Sequence, residues 1–503
     1  MFASAMKSIY TTTWNNAPSL STPDSSGVVN GRLSILFKAV RGCSQIQVND
    51  YMTKASNEDL IDTFILAFQT RDPRGGKGER DLGRLMFKWL FENYPSEFEK
   101  ILQYIPEYSR WDDLLTLFPN VVSTANNELQ VKIVKLFSEQ LKKDKELMLQ
   151  GTPISLCAKW CPTEGDSDDK KYKLVETLCN YLSITPRQYR KDYITPLRAY
   201  LNIVETKMCQ NRWEEIEFDK VPSCAIKILK KAFEKHTPEK FVLWKQSLES
   251  GKTKVNAKVL HPHELVREMR ISGKADEVVQ SQWKILEDEV RKLGTLQDTV
   301  VVVDTSGSMQ EPKCLPLDIS VAMGLIISSV VEGEFKGNVI TFNTNPEFVE
   351  ICDGDIFSKF QQVRNIPWGG STNLAGTFDM ILHKGKAAGL KDEDMPKRLV
   401  IVSDMQFDQI EGYGSYGKTN FQVIEDKYKA AGYTRPNIVF WNVACSPTSD
   451  FPVSVDDNGT CLVSGASPAI LKGVLRSKEF NSVAIMREIL DDERYSQIRT
   501  ALS

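Results

Sequence analysis

Asp304, Ser306 and Ser308 stand at alternate positions of the run VVVVDTSGSM at 300–309. One carboxylate and two hydroxyls on a short loop are hard oxygen donors, and such donors suit Mg²⁺, Mn²⁺ or Ca²⁺ rather than zinc. Gly307 lets the loop turn tightly. Two further oxygens stand at other apolar runs: Thr372 in WGGSTNL, approached through Gly369 and Gly370, and Asp404 at the end of RLVIVSD. A carboxylate ending a buried strand is costly unless a cation or hydrogen bonds compensate it. Asp304, Ser306, Ser308, Thr372 and Asp404 are therefore the expected ligands of a divalent cation, Mg²⁺ foremost, with Mn²⁺ and Ca²⁺ as alternatives. Metal-assisted hydrolysis would need a positioned base, a nucleophile or a second metal. His383 falls inside a predicted helix, and Asp408 reads as a solvated loop acid. Binding, not catalysis, is the expectation.

Such residues must be delivered by strands. TVVVVD (299–304), NVITFN (338–343), RLVIVSD (398–404) and NIVFWNVA (437–444) are short apolar runs, and TCLVSG (460–465) reads as a last strand. Helical segments at 317–331 and 372–389 lie between them. Fully apolar strands alternating with helices imply a parallel sheet covered on both faces, a doubly wound α/β domain over 294–503. Ligands of such sheets sit at the carboxyl ends of the strands, near the point where strand order reverses.

The preceding part has a different period. Leu82, Leu85, Met86, Trp89 and Leu90 form one helical stripe, and Val131, Val134, Leu136, Phe137 and Leu141 outline another. Ser56–Asp59 reads as a capping box opening a further helix. Residues 31–293 are expected to be all-α, a HEAT-like stack of paired helices. Residues 1–30, rich in Ser, Thr, Asn and Pro, are expected to form an irregular arm, and GDSDD (165–169) an acidic loop.

Composition narrows the classes. With a net charge of −3 over 503 residues the whole chain is no polyanion binder. No run approaches the roughly 20 apolar residues of a membrane span, and MFASAMKSIYTTTWNN lacks the pattern of a signal peptide. An intracellular, cytoplasmic protein is expected. The ten cysteines contain no CxxC pair and read as reduced thiols. In LHPHEL the proline between His261 and His263 points to a helix start, not a metal site. RDPRGGKGER (71–80) lacks the Ser or Thr and the preceding strand of a phosphate loop, so no nucleotide is expected there. Residues 186–260 hold 16 Lys and Arg against 9 Asp and Glu. Arg187, Arg190, Lys191, Arg198, Lys227, Lys230, Lys231 and Lys235, with Tyr189, Tyr193 and Trp213 nearby, are candidates for contact with RNA phosphates and bases. An ordinary solvated helix face remains the alternative.

DTSGSM, GGSTNL and VSD, in that order, resemble the metal-ion-dependent adhesion site of a von Willebrand factor A domain. The resemblance implies that Asp304, Ser306, Ser308, Thr372 and Asp404 gather the ion directly or through water, and that the ion bridges to an acidic group on a partner. RGGKGER, WDDLL, ISLCAKW, TPLRAYL, NRWEEIEFDKVPSCA and LHPHEL resemble the DUF2828 family of plants, fungi and large DNA viruses. SDMQFD and IVFWNV resemble that family's C-terminal half, so the similarity runs from about residue 25 to the end. The two-part layout is also similar to the TROVE module of Ro ribonucleoproteins, which implies an RNA ligand. The rival implication is an assembly scaffold whose partner offers Asp or Glu to the metal, a virion component in a viral member.

Overall fold

The computed structural model describes residues 10–24, 28–118, 124–255, 260–342, 346–366, 372–408, 420–445, 451–455, 457–477 and 479–503. The chain forms two compact units. One comprises residues 1–82 with 257–496, the other 83–256 with 497–503. This division differs from boundaries at 30/31 and 293/294. Hydrophobic period reports the type of an element, and the core it joins is decided by contacts far away in sequence.

In the first unit, β1 (Tyr10–Thr12) and β2 (Pro18–Leu20) pair antiparallel. Part of the expected irregular arm is thus a hairpin. Its partner lies far along the chain: Leu20 and Phe451 exchange main-chain hydrogen bonds of 2.9 and 2.8 Å. Next come β3 (Leu296–Gln297), β4 (Thr299–Asp304), β5 (Val331–Glu332), β6 (Asn338–Phe342) and β7 (Phe348–Glu350). β8 (Arg398–Ser403), β9 (Asn437–Asn442) and β10 (Thr460–Ser464) follow. A six-stranded sheet runs β10-β9-β8-β4-β6-β7, parallel except for β7, which is antiparallel to β6. β3 and β5 form a separate parallel pair.

Both faces of the sheet are covered, which is why its strands read as unbroken apolar runs. On one face Val300 and Val302 join Ile340, Phe378, Phe421 and Ile424 in the main core. On the other, the helix Leu315–Ser329 approaches so closely that a Cβ on Gly324 would lie 2.3 Å from Val303 Cγ2. The chain runs from β4 outward to β6 and β7, then returns to β8, β9 and β10 on the opposite side. Strand order therefore reverses between β4 and β8.

The RGGKG turn is an internal fastener of this unit. Lys77 is buried, and its Nζ donates to the carbonyls of Ile35, Leu36 and Ala39 at 2.8, 2.9 and 2.9 Å. Ser464 Oγ at the end of β10 lies 2.9 Å from the same nitrogen, so its three hydrogens are shared among four acceptors. The ammonium therefore terminates the helix Asn30–Phe37, where unpaired carbonyls and the helix dipole both favour a cation. Burial nonetheless lowers its pKa to about 7. Gly76 is required by contact, because a Cβ there would sit 1.8 Å from the Gln69 carbonyl oxygen. On either side, Asp72 accepts from Arg494 and from Tyr495 Oη (3.2 Å for the latter), and Glu79 accepts from Arg41 at 2.8 Å.

Several local expectations shift. Ser56 lies in the last turn of the helix Gln45–Glu58, and Asp59 caps the next helix by accepting from Asp62 N–H at 2.8 Å. The capping box is at Ser44 and Gln47. Pro262 opens the helix Pro262–Ser272 as expected, with Glu264 in its first turn. In the second unit the helix Thr124–Leu149 exposes Val131 and buries Ile133 in its place. GDSDD is no loop: Asp166 caps the helix Ser167–Tyr172, accepting from Asp168 and Asp169 N–H. Trp111 is buried against Phe137, ring centroids 5.1 Å apart, so it belongs to that unit's core. No described helix is long and apolar enough to cross a membrane.

Candidate metal centre

Parallel register brings the site together. Val303 in β4 stands opposite Val402 in β8, so Asp304 and Ser403 follow as lateral neighbours at the carboxyl edge. This is the reversal of strand order, where open α/β sheets leave a crevice. Asp304 is fully buried and Asp404 nearly so.

The Asp304 carboxylate accepts from Ser306 N–H at 2.9 Å through Oδ1 and from Ser403 Oγ through Oδ2. Ser306 Oγ and Ser308 Oγ are 3.1 Å apart. Asp404 accepts from the Ser308 hydroxyl and, through Oδ1, from Gln406 N–H at 3.1 Å. Thr372 is buried just before the helix Leu374–Ala387, whose cap is Asn373, and its carbonyl accepts from Asp408 N–H at 3.0 Å. Gly369 and Gly370 lie outside the described residues. Ser308 is exposed, so the cluster opens to solvent on that side.

Burial, and then the nearby Asp404 charge, raise the Asp304 pKa to about 7, against the opposing hydrogen bonds from Ser306 and Ser403. Burial likewise raises Asp404. Among the described residues, the strongest influences on the two carboxylates are burial, the Asp404 charge and hydrogen bonds from hydroxyls and main-chain N–H groups. Two buried acids that repel each other, ringed by hydroxyls, are a donor set that a hard divalent cation fits. Among the described residues no three His, Cys, Asp or Glu side chains cluster at metal-binding distance. The set is thus two carboxylates plus hydroxyls, a composition unlike that of a zinc site.

Sequence reasoning missed Ser403 and the turn after Asp404. Ser403 was legible in principle, since it precedes Asp404 in VSD and register must set it beside Asp304. The turn is braced from elsewhere: Thr13 Oγ1 donates to the Phe407 carbonyl at 2.8 Å and Asn15 Nδ2 to the Gln406 carbonyl at 2.8 Å. Nothing local in either segment announces the other.

The basic candidates are all in the second unit, and their settings differ. Arg187, Lys191, Lys231 and Lys235 are exposed, and Lys227 and Lys230 half-buried. Arg190 faces Glu164 at 4.0 Å. Arg198 is bound up in the fold: it donates to the Ala158 and Cys161 carbonyls at 2.9 and 2.6 Å and to Thr163 Oγ1 at 2.9 Å. Tyr189 is buried, whereas Trp213 stacks on His236 with centroids 4.0 Å apart and planes within 5°. Cys157 and Cys161 are buried with sulfurs 3.8 Å apart, and all ten cysteines are free thiols.

Residues 122–296 match the family model described as Domain of unknown function (DUF2828), and residues 298–501 match that described as Domain of unknown function (DUF7788). The chain is 32% identical over 483 residues to "Uncharacterized protein L728" of Acanthamoeba polyphaga mimivirus, a match covering 90% of this chain and 83% of the viral one.

Proposed function

The chain belongs to the family of the mimivirus protein that it matches over most of its length, and from that premise we propose that it is a non-enzymatic, divalent-cation-dependent binding protein. The observation that carries the reading is the pair of buried carboxylates, Asp304 and Asp404, at the reversal of strand order, where burial and the Asp404 charge push the Asp304 pKa up. Asp304, Ser306, Ser308, Thr372 and Asp404 would hold the ion, Mg²⁺ first, in the manner of a von Willebrand factor A domain. The ion supplies a Lewis-acidic positive charge there. The chain's own groups fix the donors: Ser403 orients Asp304, and Gln406 N–H orients Asp404. His383 lies exposed on the helix Leu374–Ala387, and no proton-transfer role is assigned to it. Mn²⁺ titration of the whole chain tests the reading: binding must vanish in Asp304→Ala and Asp404→Ala.

RNA is the proposed ligand, carried by the helical unit in a HEAT-like, TROVE-like arrangement. Its support is the exposed Arg187, Lys191, Lys231 and Lys235 with the Trp213–His236 stack, cations and a flat ring of the kind single-stranded RNA uses. Crosslinking from the native source, followed by identification of the attached RNA, tests it. A second reading is favoured by the exposure of Ser308, which leaves the ion reachable from outside. A partner protein would then offer Asp or Glu to the metal, and chelator would release it.

A further inference from the structure

We infer that the N-terminal hairpin is a working part of the cation site: residues Thr13–Asn16 clamp the turn Met405–Asp408, so cation affinity and hairpin docking rise and fall together. The inference rests on the cation reading above and adds a positioning element to it.

The turn joins two of the proposed ligands. At its start Gln406 N–H holds Asp404 Oδ1 at 3.1 Å, and at its end Asp408 N–H holds the Thr372 carbonyl at 3.0 Å. Directly after Asp404, Met405 adopts φ +66°, a left-handed conformation that a residue with a Cβ keeps only when its surroundings over-determine it. Ser403 Oγ supplies one restraint, accepting from Met405 N–H at 3.0 Å. The hairpin supplies most of the others. Thr13 Oγ1 donates to the Phe407 carbonyl at 2.8 Å, Trp14 N–H to Gln406 Oε1 at 2.9 Å, and Asn15 Nδ2 to the Gln406 carbonyl at 2.8 Å. Asn16 bridges Asp408 in antiparallel fashion. Four consecutive residues, Thr13 to Asn16, thus hold Gln406, Phe407 and Asp408 from more than 390 positions away.

A hairpin that served only as a cover for the core would need its apolar residues Ala17 and Leu20, which are buried, and no such series of polar bonds. The clamp instead fixes the backbone whose N–H groups aim Asp404 and Thr372. If the clamp strengthens cation binding by some factor, the cation must strengthen hairpin docking by the same factor.

The test uses the whole chain with Mn²⁺ as probe. Thr13→Val with Asn15→Ala removes two of the clamp bonds, along with the bond from Ala17 N–H to Thr13 Oγ1 inside the hairpin, and leaves the buried Ala17 and Leu20 side chains and the main-chain hairpin bonds in place. Mn²⁺ affinity is expected to fall by about tenfold, with far-ultraviolet circular dichroism unchanged. In the wild-type chain, amide exchange over residues 13–20 is expected to slow when Mn²⁺ is added, a measurement that needs no variant. Unchanged Mn²⁺ affinity in the double variant, or exchange indifferent to Mn²⁺, overturns the inference. If either occurs while Asp304→Ala still abolishes Mn²⁺ binding, only the clamp is lost. If Asp304→Ala binds Mn²⁺ normally, the cation reading falls and the clamp with it.

Discussion

Asp304→Asn should stabilise the protein in chelator while destroying its cation site. In the folded chain the Asp304 carboxyl is fully buried and titrates at about 7, against 3.8 for an ordinary aspartate. A group with a raised folded pKa binds more protons folded than unfolded, so stability falls as pH rises between the two values. No penalty exists below the unfolded value, and the whole of it is present above about 7. The gap spans about three pH units at about 1.4 kcal/mol each, or up to about 4 kcal/mol at neutral pH and above. Asparagine keeps an Oδ1 for Ser306 N–H and turns its Nδ2 toward Ser403 Oγ, so the local bonds survive without the charge. Urea denaturation in chelator should therefore show the variant more stable than wild type at pH 8, with the difference shrinking toward pH 4. Added Mn²⁺ should reverse the order, because only the wild-type chain gains stability from binding. A variant less stable than wild type at pH 8 in chelator would refute the idea that two repelling carboxylates await a cation. So would equal stabilisation of both chains by Mn²⁺.

Lys77→Met leaves the carbonyls of Ile35, Leu36 and Ala39 and the Ser464 hydroxyl without their common donor. A loss of about 3 kcal/mol is expected, read by denaturant midpoint, since breaking a buried charged contact typically costs that much. Gly76→Ala forces a Cβ against the Gln69 carbonyl, and expression of soluble protein should drop, with more than about 3 kcal/mol lost in any that folds. Charge reversal at Lys231 and Lys235 should weaken RNA retention on a filter, most visibly at low salt; equal retention at every salt concentration counts against RNA at this face. Arg198→Ala should lower the melting temperature of the helical unit, because it strips donors from two carbonyls and a hydroxyl; a large drop in RNA affinity without a stability change would show that the arginine faces ligand after all.

What the sequence alone determined is the type of the main strands and long helices and the identity of the candidate oxygen donors; short elements such as the N-terminal hairpin and the helix Ser167–Tyr172 escaped it. Strands such as TVVVVD are legible because burial on both faces demands unbroken apolar residues. Asp304, Ser306, Ser308 and Asp404 are legible because polar residues ending such strands violate the pattern around them, and a violation asks for a compensating partner. Tertiary structure alone decided which segments share a core. The first 82 residues belong with the sheet and not with the helices that follow them, since their ties are Lys77 to Ser464, Asp62 to Arg487 and Asp72 to Arg494. Each is a charge or hydrogen-bond match between distant positions, and a charged residue on a helix looks the same in sequence whether it is paired or solvated. The placement of Ser403 beside Asp304 depends on strand register, and the clamp on Met405–Asp408 depends on chain closure across almost the whole molecule. Periodicity is a local property, so it carries neither.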